Sequence, residues 1–246
     1  MSDTVSVDSP LLPPGQELRI LIVGIGGVAS YLLNHSLLGL LANSFPKSVI
    51  TLCDKDELEE RNFIRQDFAS SAVGNKAQAK TDQLIADQRY KALDFRCVPQ
   101  WITPENVTGY VQDGDIVFSC ADNHATRRVL SDHLENLSSG VLIAGGNSEY
   151  TSSTLVYIRW RGEDLTLPLT AQSAEIANPK EKGPWQMSCE ELAVVAPQLA
   201  LANEDAAIAM KKIFFLLTRT SKIDYAQVRG NILTNTVYAV KMNRNN

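Results

Sequence analysis

The chain has 246 residues, of which 44% are hydrophobic and 21% are charged, and its net charge is -5. That length is ordinary for one α/β domain with a single large core, and the acidic balance argues against nucleic acid as a partner. No signal peptide or membrane span is predicted, and the four scattered cysteines form no C-x-x-C pair. We therefore expect a soluble, cytoplasmic protein without a disulfide framework or a membrane partner.

The first 16 residues predict a flexible arm, because three prolines interrupt them, and residues 17–246 predict a single domain. From residue 18 onward, short apolar runs typical of buried parallel strands alternate with helical segments. The strands are predicted at 18–24, 48–54, 95–101, 115–120 and 140–145, and the helices at 27–43, 75–90 and 123–137. This alternation predicts a Rossmann-like, doubly wound and mainly parallel sheet.

The pattern changes in the last third of the chain. Residues 154–160 alternate in polarity, as in an antiparallel strand, and the proline-rich stretch 162–187 predicts one long crossover loop. Residues 188–218 predict a helical stretch with a kink at Pro197, and residues 232–240 predict a final strand. Together these elements predict a C-terminal antiparallel extension of the α/β domain.

A glycine-rich turn follows the first predicted strand and opens a helix. Gly24 and Gly26 lie in a G-x-G-x-x-A pattern, in which glycines allow a tight turn and the close approach of a phosphate to backbone amides. Asp54 ends the second predicted strand, where a carboxylate accepts hydrogen bonds from ribose hydroxyls. The alternative for the glycines is a turn that binds no ligand, and the alternative for Asp54 is an aspartate that stabilises a turn or a helix N-terminus. These features do not separate NAD from ATP.

The segment after Asp54 favours ATP. If residues 62–66 form one helical turn, Asn62, Arg65 and Gln66 lie on one face and present a guanidinium and two amides. Such a set suits the oxygens of a polyphosphate, and Lys76 follows within one helix. The alternative for a charge-rich loop is a solvated surface.

The ordered set of these residues resembles the adenylation domain of the ThiF/MoeB/HesA and ubiquitin-activating-enzyme superfamily, over about residues 18–220. The matching positions are Gly24, Gly26, Gly27, Asp54, Asp56, Asn62, Arg65, Gln66, Lys76, Asp122, Asn123 and Arg127. The resemblance implies ATP-dependent adenylation of a carboxylate, most often the C-terminal glycine of a ubiquitin-like or sulfur-carrier protein, by a homodimer.

The same resemblance implies a role for each site residue. Asp54 would hold the ribose of ATP, and Asp122 would lie near the α-phosphate and Mg²⁺. The triphosphate would be contacted by Asn62, Arg65, Gln66 and a lysine. That lysine is Lys76 or Lys80, because Gly74 and Lys76 are one residue closer than is usual in the superfamily.

Asp122 also fits from its place in the chain. It follows a predicted strand, at the carboxyl edge of the sheet where such folds bind ligands. The alternative is the N-cap of the next helix. Arg127 would lie one turn into that helix, where the alternative is an ordinary surface arginine.

Cys189 is the cysteine with a reactive setting, because it is predicted at the start of a helix, where the helix dipole lowers the pKa of a thiol. In the superfamily a cysteine in this region can take the activated acyl group; the alternative is a small residue that packs under the loop. Cys53, Cys97 and Cys120 lie on predicted strands and are expected to pack in the core.

The chain departs from the superfamily pattern at two places. It lacks the paired C-x-x-C motifs that hold zinc, so no zinc is expected, and no arginine precedes Arg19 to serve as an N-terminal arginine arm. Two other functions remain open at this point. An NAD(P)-dependent oxidoreductase explains the glycines and Asp54 but gives Arg65, Gln66 and Asp122 no role, and a non-catalytic member would only bind a partner or dimerise.

Overall fold

The computed structural model describes residues 9–64, 66–187, 199–221 and 223–241. Its sheet contains the strands β1 Arg19–Val23, β2 Val49–Cys53, β3 Asp94–Val98, β4 Ile116–Ser119, β5 Gly140–Asn147, β6 Thr151–Trp160, β7 Glu163–Asp164, β8 Tyr225–Asn231 and β9 Thr236–Lys241. The order is β3-β2-β1-β4-β5-β6-β8-β9, with β7 beside β6. Strands β1 to β5 pair in parallel, and β6 to β9 pair antiparallel. The predicted fold class is confirmed.

Helices connect these strands. They are α1 Gly27–Leu32, α2 His35–Ser44, α3 Lys76–Ala86, α4 Val107–Tyr110, α5 His124–Leu134, α6 Leu169–Gln172, α7 Ala174–Ala177 and α8 Ala200–Leu217. Short 3-10 turns lie at Glu60–Asn62, Gln88–Tyr90 and Pro184–Gln186. No helix in the described part of the chain is long and apolar enough to cross a bilayer.

Apolar side chains cover both faces of the sheet, because successive residues of a strand point to opposite sides. On β1, Ile20 and Ile22 join a core with α1, α2 and α8, whereas Leu21 and Val23 join a second core with α5 and α6. Helices on both faces leave the carboxyl ends of the strands as the open edge where ligands bind.

Two predicted elements differ in the structure. The helix predicted at 27–43 is interrupted at Asn34, whose extended backbone and side chain cap α2 by accepting a hydrogen bond from the Ser36 amide at 3.1 Å. The crossover loop predicted at 162–187 contains β7, α6, α7 and a 3-10 turn. Leu169 and Ile176 anchor it, since both side chains are fully buried in the second core.

The chain ends also differ from the prediction. Within the arm predicted at 1–16, Leu11 and Leu12 are buried and their amides donate to the carbonyls of Thr220 and Leu217. At the other end, the strand predicted at 232–240 is β9, which starts at Thr236 and forms a hairpin with β8, a strand that was not predicted. Of the helical stretch predicted at 188–218, residues 200–217 form α8, and residues 188–198 lie outside the described part.

Candidate functional site

A cavity of about 250 Å³ lies at the carboxyl ends of β1, β2 and β4. In the sheet, β1 lies between β2 and β4, so the strand order reverses at β1. In doubly wound sheets such a reversal opens a crevice at the carboxyl ends of the strands. The predicted site residues that line it are Gly24, Gly26, Gly27, Asp54, Asp56, Asn62, Gln66, Lys76 and Asp122. Arg65 and Cys189, also predicted for the site, lie outside the described residues.

The glycines of the turn are there for different reasons. Gly24 has a φ of 83°, and a Cβ at this residue would lie 2.8 Å from the amide nitrogen of Ala121. A Cβ on Gly27 would clash with the side chain of Asn203 on α8. At Gly26, by contrast, a Cβ would meet no atom of the described residues within 4 Å, so this part of the fold leaves the space at the pocket wall empty.

Asp54 is held by the loops on either side of it. Its side chain is 4% exposed, and its two oxygens accept from the amides of Ile25 at 2.5 Å and Asp56 at 2.8 Å. Burial, and next the charge of Asp56, raise the pKa of Asp54 to about 6, whereas Lys76 opposes the rise. The bond from Asp56 fits a turn aspartate, yet each carboxylate oxygen has a further lone pair for a ligand.

The structure separates the two candidate lysines. Lys76 is the first residue of α3 and lines the cavity, with its Nζ 3.2 Å from Oδ2 of Asp56. Lys80 lies one turn further on, 1% exposed, and donates to the carbonyl of Asp67 at 2.6 Å. Lys76 is therefore the lysine at the cavity, and Lys80 holds the neighbouring loop.

Asn62 and Gln66 form one wall of the cavity. The carbonyl of Asn62 accepts from the Gln66 amide at 2.9 Å, as in the predicted helical turn, and the Asn62 side chain accepts from the Glu59 amide. The Oε1 atom of Gln66 is buried and has no hydrogen-bond partner among the residues that the structure describes. A buried polar atom at a cavity wall is satisfied when a ligand or water supplies its partner.

Asp122 is exposed at the opposite wall. The N-cap of α5 is Asn123, whose side chain accepts from the Thr126 amide at 2.8 Å, so the N-cap interpretation of Asp122 is wrong. The surface interpretation of Arg127 is also wrong, since its side chain is only 5% exposed.

The cavity thus brings together buried amide side chains, a lysine and several acids around an open glycine, on a Rossmann-like sheet. A comparison with known families decides which group of proteins shares this plan. The profile of the ThiF family matches residues 15–241. The chain belongs to the ThiF family.

Curated relatives of this ThiF-family chain carry adenylation in their names. The "Adenylyltransferase and sulfurtransferase UBA4" of Candida glabrata is 24% identical over 199 residues, which are 80% of this chain and 42% of the relative. The "Adenylyltransferase and sulfurtransferase MOCS3" of Drosophila ananassae is 30% identical over 113 residues, 46% of this chain and 24% of the relative. The chain spans less than half the length of these relatives.

Solved structures share the fold. E. coli MccB with ATP has a TM-score of 0.67 at 15% identity, over 92% of this chain and 64% of that chain. PaaA has a TM-score of 0.62 at 15% identity, over 91% of this chain and 64% of that chain. At this identity the likeness concerns the fold alone.

Burial disfavours the thiolate forms of Cys53 and Cys120. Burial, and next the charge of Asp54, raise the pKa of the Cys53 thiol to about 12, and burial raises the pKa of the Cys120 thiol as well. Both side chains are buried as predicted, whereas Cys97 is half-buried. In the described part of the chain no three histidine, cysteine, aspartate or glutamate side chains cluster as a metal site.

Sequence reasoning missed several residues that line the cavity. Gln100 and Trp101 follow β3 and Asn147 ends β5, so the rule that ligands bind at carboxyl ends of strands could have found them. Asn203 had no such signal, because it reaches the cavity from α8, far along the chain.

Proposed function

We propose that this chain binds ATP with Mg²⁺ and adenylates a carboxylate. The observation that carries the proposal is the open space at Gly26 between Asp54 on one wall and Asp122 on the other. A phosphate chain that passed Gly26 would contact backbone atoms closely, and it would place a ribose beside one acid and the reacting phosphorus near the other.

Each wall has its own task in this proposal. Asp54 accepts from the ribose hydroxyls, and Asn62, Gln66, Lys76 and Arg65 bind the triphosphate. An oxygen of the substrate carboxylate attacks the α-phosphorus, the bond from that phosphorus to the bridging oxygen breaks, and pyrophosphate leaves with its electrons. No protein base is required, because the carboxylate is ionised near pH 7. The protein's contribution is orientation and neutralisation of charge.

The charges around the cavity support a metal ion in this reaction. Besides Asp122, four acids line the cavity, Asp54, Asp56, Glu57 and Glu59, against the basic residues Lys76 and Arg61. This excess of negative charge would repel a polyphosphate in the absence of a cation. When bound, Mg²⁺ would supply positive charge between these acids and the phosphates, since proteins hold this ion through one or two carboxylates plus substrate phosphates. Asp122, exposed at the cavity, is the carboxylate we assign to it.

The carboxylate substrate is proposed from the relatives. The names of the UBA4 and MOCS3 relatives combine adenylyltransferase with sulfurtransferase, which favours the C-terminal glycine of a ubiquitin-like or sulfur-carrier protein. A solved structure of MccB with the peptide MccA makes a short peptide the second candidate. Cys189 would then attack the acyl-adenylate as a thiolate, form a thioester and release AMP.

The test is ATP–pyrophosphate exchange with purified carrier proteins and peptides, followed by intact mass spectrometry. We expect exchange that depends on one class of carboxylate, and an adduct that dithiothreitol removes and that Cys189→Ala lacks. ATP binding without exchange for any carboxylate supplied would favour the non-catalytic alternative. Stabilisation by NADH and not by Mg-ATP would favour the oxidoreductase, which the family match does not support.

The pKa of Asp54 predicts how nucleotide affinity depends on pH. Because that pKa is about 6, the carboxyl group is ionised above pH 6 and neutral below it, and the ionised form accepts ribose hydrogen bonds more strongly. We expect ATP affinity to rise about tenfold between pH 5 and pH 7. The phosphates of ATP titrate in the same range, so the measurement is the ratio of the dissociation constants of wild type and Asp54→Asn. A ratio that stays constant with pH would contradict the assignment of Asp54.

We also propose that the chain forms a homodimer through α8. Leu201, Ile208 and Phe215, seven residues apart on α8, are 59%, 43% and 46% exposed. Ile208 and Phe215 border a groove of about 690 Å³ against α2. Two acidic residues precede Ile208 by one turn, Glu204 and Asp205, and two basic residues follow it, Lys211 and Lys212. A second α8 packed antiparallel on this stripe would therefore meet opposite charges on both sides of Ile208.

Ile208→Glu is expected to produce a monomer, since it places two carboxylates face to face at the centre of the apolar stripe. Sedimentation equilibrium measures the mass. The control is Ile85→Glu on α3, where the wild-type side chain is 59% exposed and lies on another helix, and which should leave the mass unchanged. A wild-type monomer, or an unchanged mass for Ile208→Glu, would refute this interface.

A further inference from the structure

Arg127 connects two strand ends behind the cavity. It lies on α5 with a side chain 5% exposed, and its Nη2 donates to the carbonyl of Ala121 at 2.9 Å and to that of Gly145 at 3.1 Å. Ala121 immediately precedes Asp122, and Gly145 lies on β5 beside the cavity residue Gly146. One nitrogen atom therefore joins the segment that carries Asp122 to the end of the neighbouring strand β5.

The connection lies where the sheet no longer provides one. The last paired residues of β4 and β5 are Ser119 and Ala144; beyond them β4 turns away, whereas β5 continues to Asn147 beside β6. The carbonyls of Ala121 and Gly145 thus lie past the end of the ladder, where a buried carbonyl needs another donor. Arg127 supplies both hydrogen bonds, so this side chain, and not the β4–β5 ladder, sets the distance between the segment after β4 and the end of β5.

The surroundings are shaped to hold a guanidinium. A Cβ on Gly146 would lie 2.2 Å from Nη2 of Arg127, so a glycine is required there for the side chain to fit. Burial lowers the pKa of Arg127, and the negative charge of Asp122 is the first of the neighbouring charges that oppose this effect. Since a guanidinium in proteins stays protonated, a buried cation lies close to Asp122.

We propose that Arg127 is a positioning residue for Asp122. It holds the backbone before Asp122 against Gly145, so that the carboxylate stays at a fixed distance from the β5 wall of the cavity. This inference rests on the proposed function, in which Asp122 serves the α-phosphate side of ATP. Arg127 acts through the backbone from behind the wall and does not bind the nucleotide.

Arg127→Met removes both hydrogen bonds and keeps an apolar side chain of similar length. We expect kcat for ATP–pyrophosphate exchange to fall about ten- to a hundredfold, because a displacement of about 1 Å at a reacting group costs that much. The dissociation constant for ATP should stay within about threefold, since most nucleotide contacts lie on the other wall. Arg128→Met is the matched control, because Arg128 is the next residue of α5 and its side chain is 47% exposed. It should leave both quantities unchanged.

Arg127→Lys keeps the charge and one nitrogen donor, and we expect it to recover most of kcat. If Arg127→Met does not fold, Arg127→Lys takes its place, with a severalfold loss of kcat and unchanged ATP affinity. Equal losses of kcat and ATP affinity, or an unchanged kcat, would overturn the inference.

Amide hydrogen exchange gives a second readout that needs no activity. Exchange at 121–123 and 145–147 should be faster in the Arg127 variants and unchanged in Arg128→Met; unchanged exchange in all of them would also overturn the inference. If the wild-type chain had no ATP–pyrophosphate exchange activity, the proposed function would be refuted instead. The amide hydrogen exchange measurement would still decide the role of Arg127.

Discussion

Asp122→Asn is expected to lower the rate of ATP–pyrophosphate exchange by about a hundred- to a thousandfold, the usual loss when one electrostatic contact to a transition state is removed. The carboxylate is assigned to the metal and α-phosphate side of the nucleotide, where an amide neither carries charge nor binds Mg²⁺ well. The free energy of unfolding should fall by no more than about 1 kcal/mol. Asp122 is exposed and Asn123 provides the N-cap of α5, so the loss is limited to the attraction between Asp122 and the buried Arg127 guanidinium.

The control for this variant is Asp132→Asn, which removes an exposed carboxylate from α5, the helix that follows Asp122. Asp132 pairs with Arg128 across one turn of α5, and exposed pairs of this kind contribute little to stability. Exchange should proceed at the wild-type rate in Asp132→Asn. If Asp122→Asn retained more than about a third of the wild-type rate, far above the loss expected for such a contact, Asp122 would have no catalytic role.

Adding one methyl group to Gly24 and to Gly26 is expected to have opposite consequences. Gly24→Ala places a Cβ against the backbone of Ala121 at a positive φ, so we expect it to lower the free energy of unfolding by about 1–3 kcal/mol. Gly26→Ala adds its methyl group to a space that no atom of the described part of the chain occupies. Its stability should stay within about 0.5 kcal/mol of wild type, but ATP should bind at least about tenfold more weakly.

Urea unfolding measures the stability of both variants, and calorimetric titration with Mg-ATP measures their affinity for the nucleotide. Each variant is the control for the other. Wild-type ATP affinity in a folded Gly26→Ala would mean that no phosphate passes this residue. The adenylation proposal would then lose the observation on which it rests.

The parallel strands and the glycine-rich turn after β1 were predicted well because their signals are local. An apolar run that ends in glycines, such as residues 18–24, indicates a buried strand and a tight turn without reference to the rest of the chain. Elements whose identity depends on their neighbours were predicted poorly. The break at Asn34, the packed segment around Leu169 and Ile176, and strand β8 all depend on contacts with other parts of the fold.

The sequence by itself determined the order of strands and helices, the family and the residue types that gather at the carboxyl edge of the sheet. Only the tertiary structure decided which of Lys76 and Lys80 reaches the cavity and which residue caps α5. It also revealed that Arg127 is buried between two strand ends. The physical reason is that these outcomes depend on distances between atoms far apart along the chain, whereas periodicity and spacing describe only neighbours in sequence.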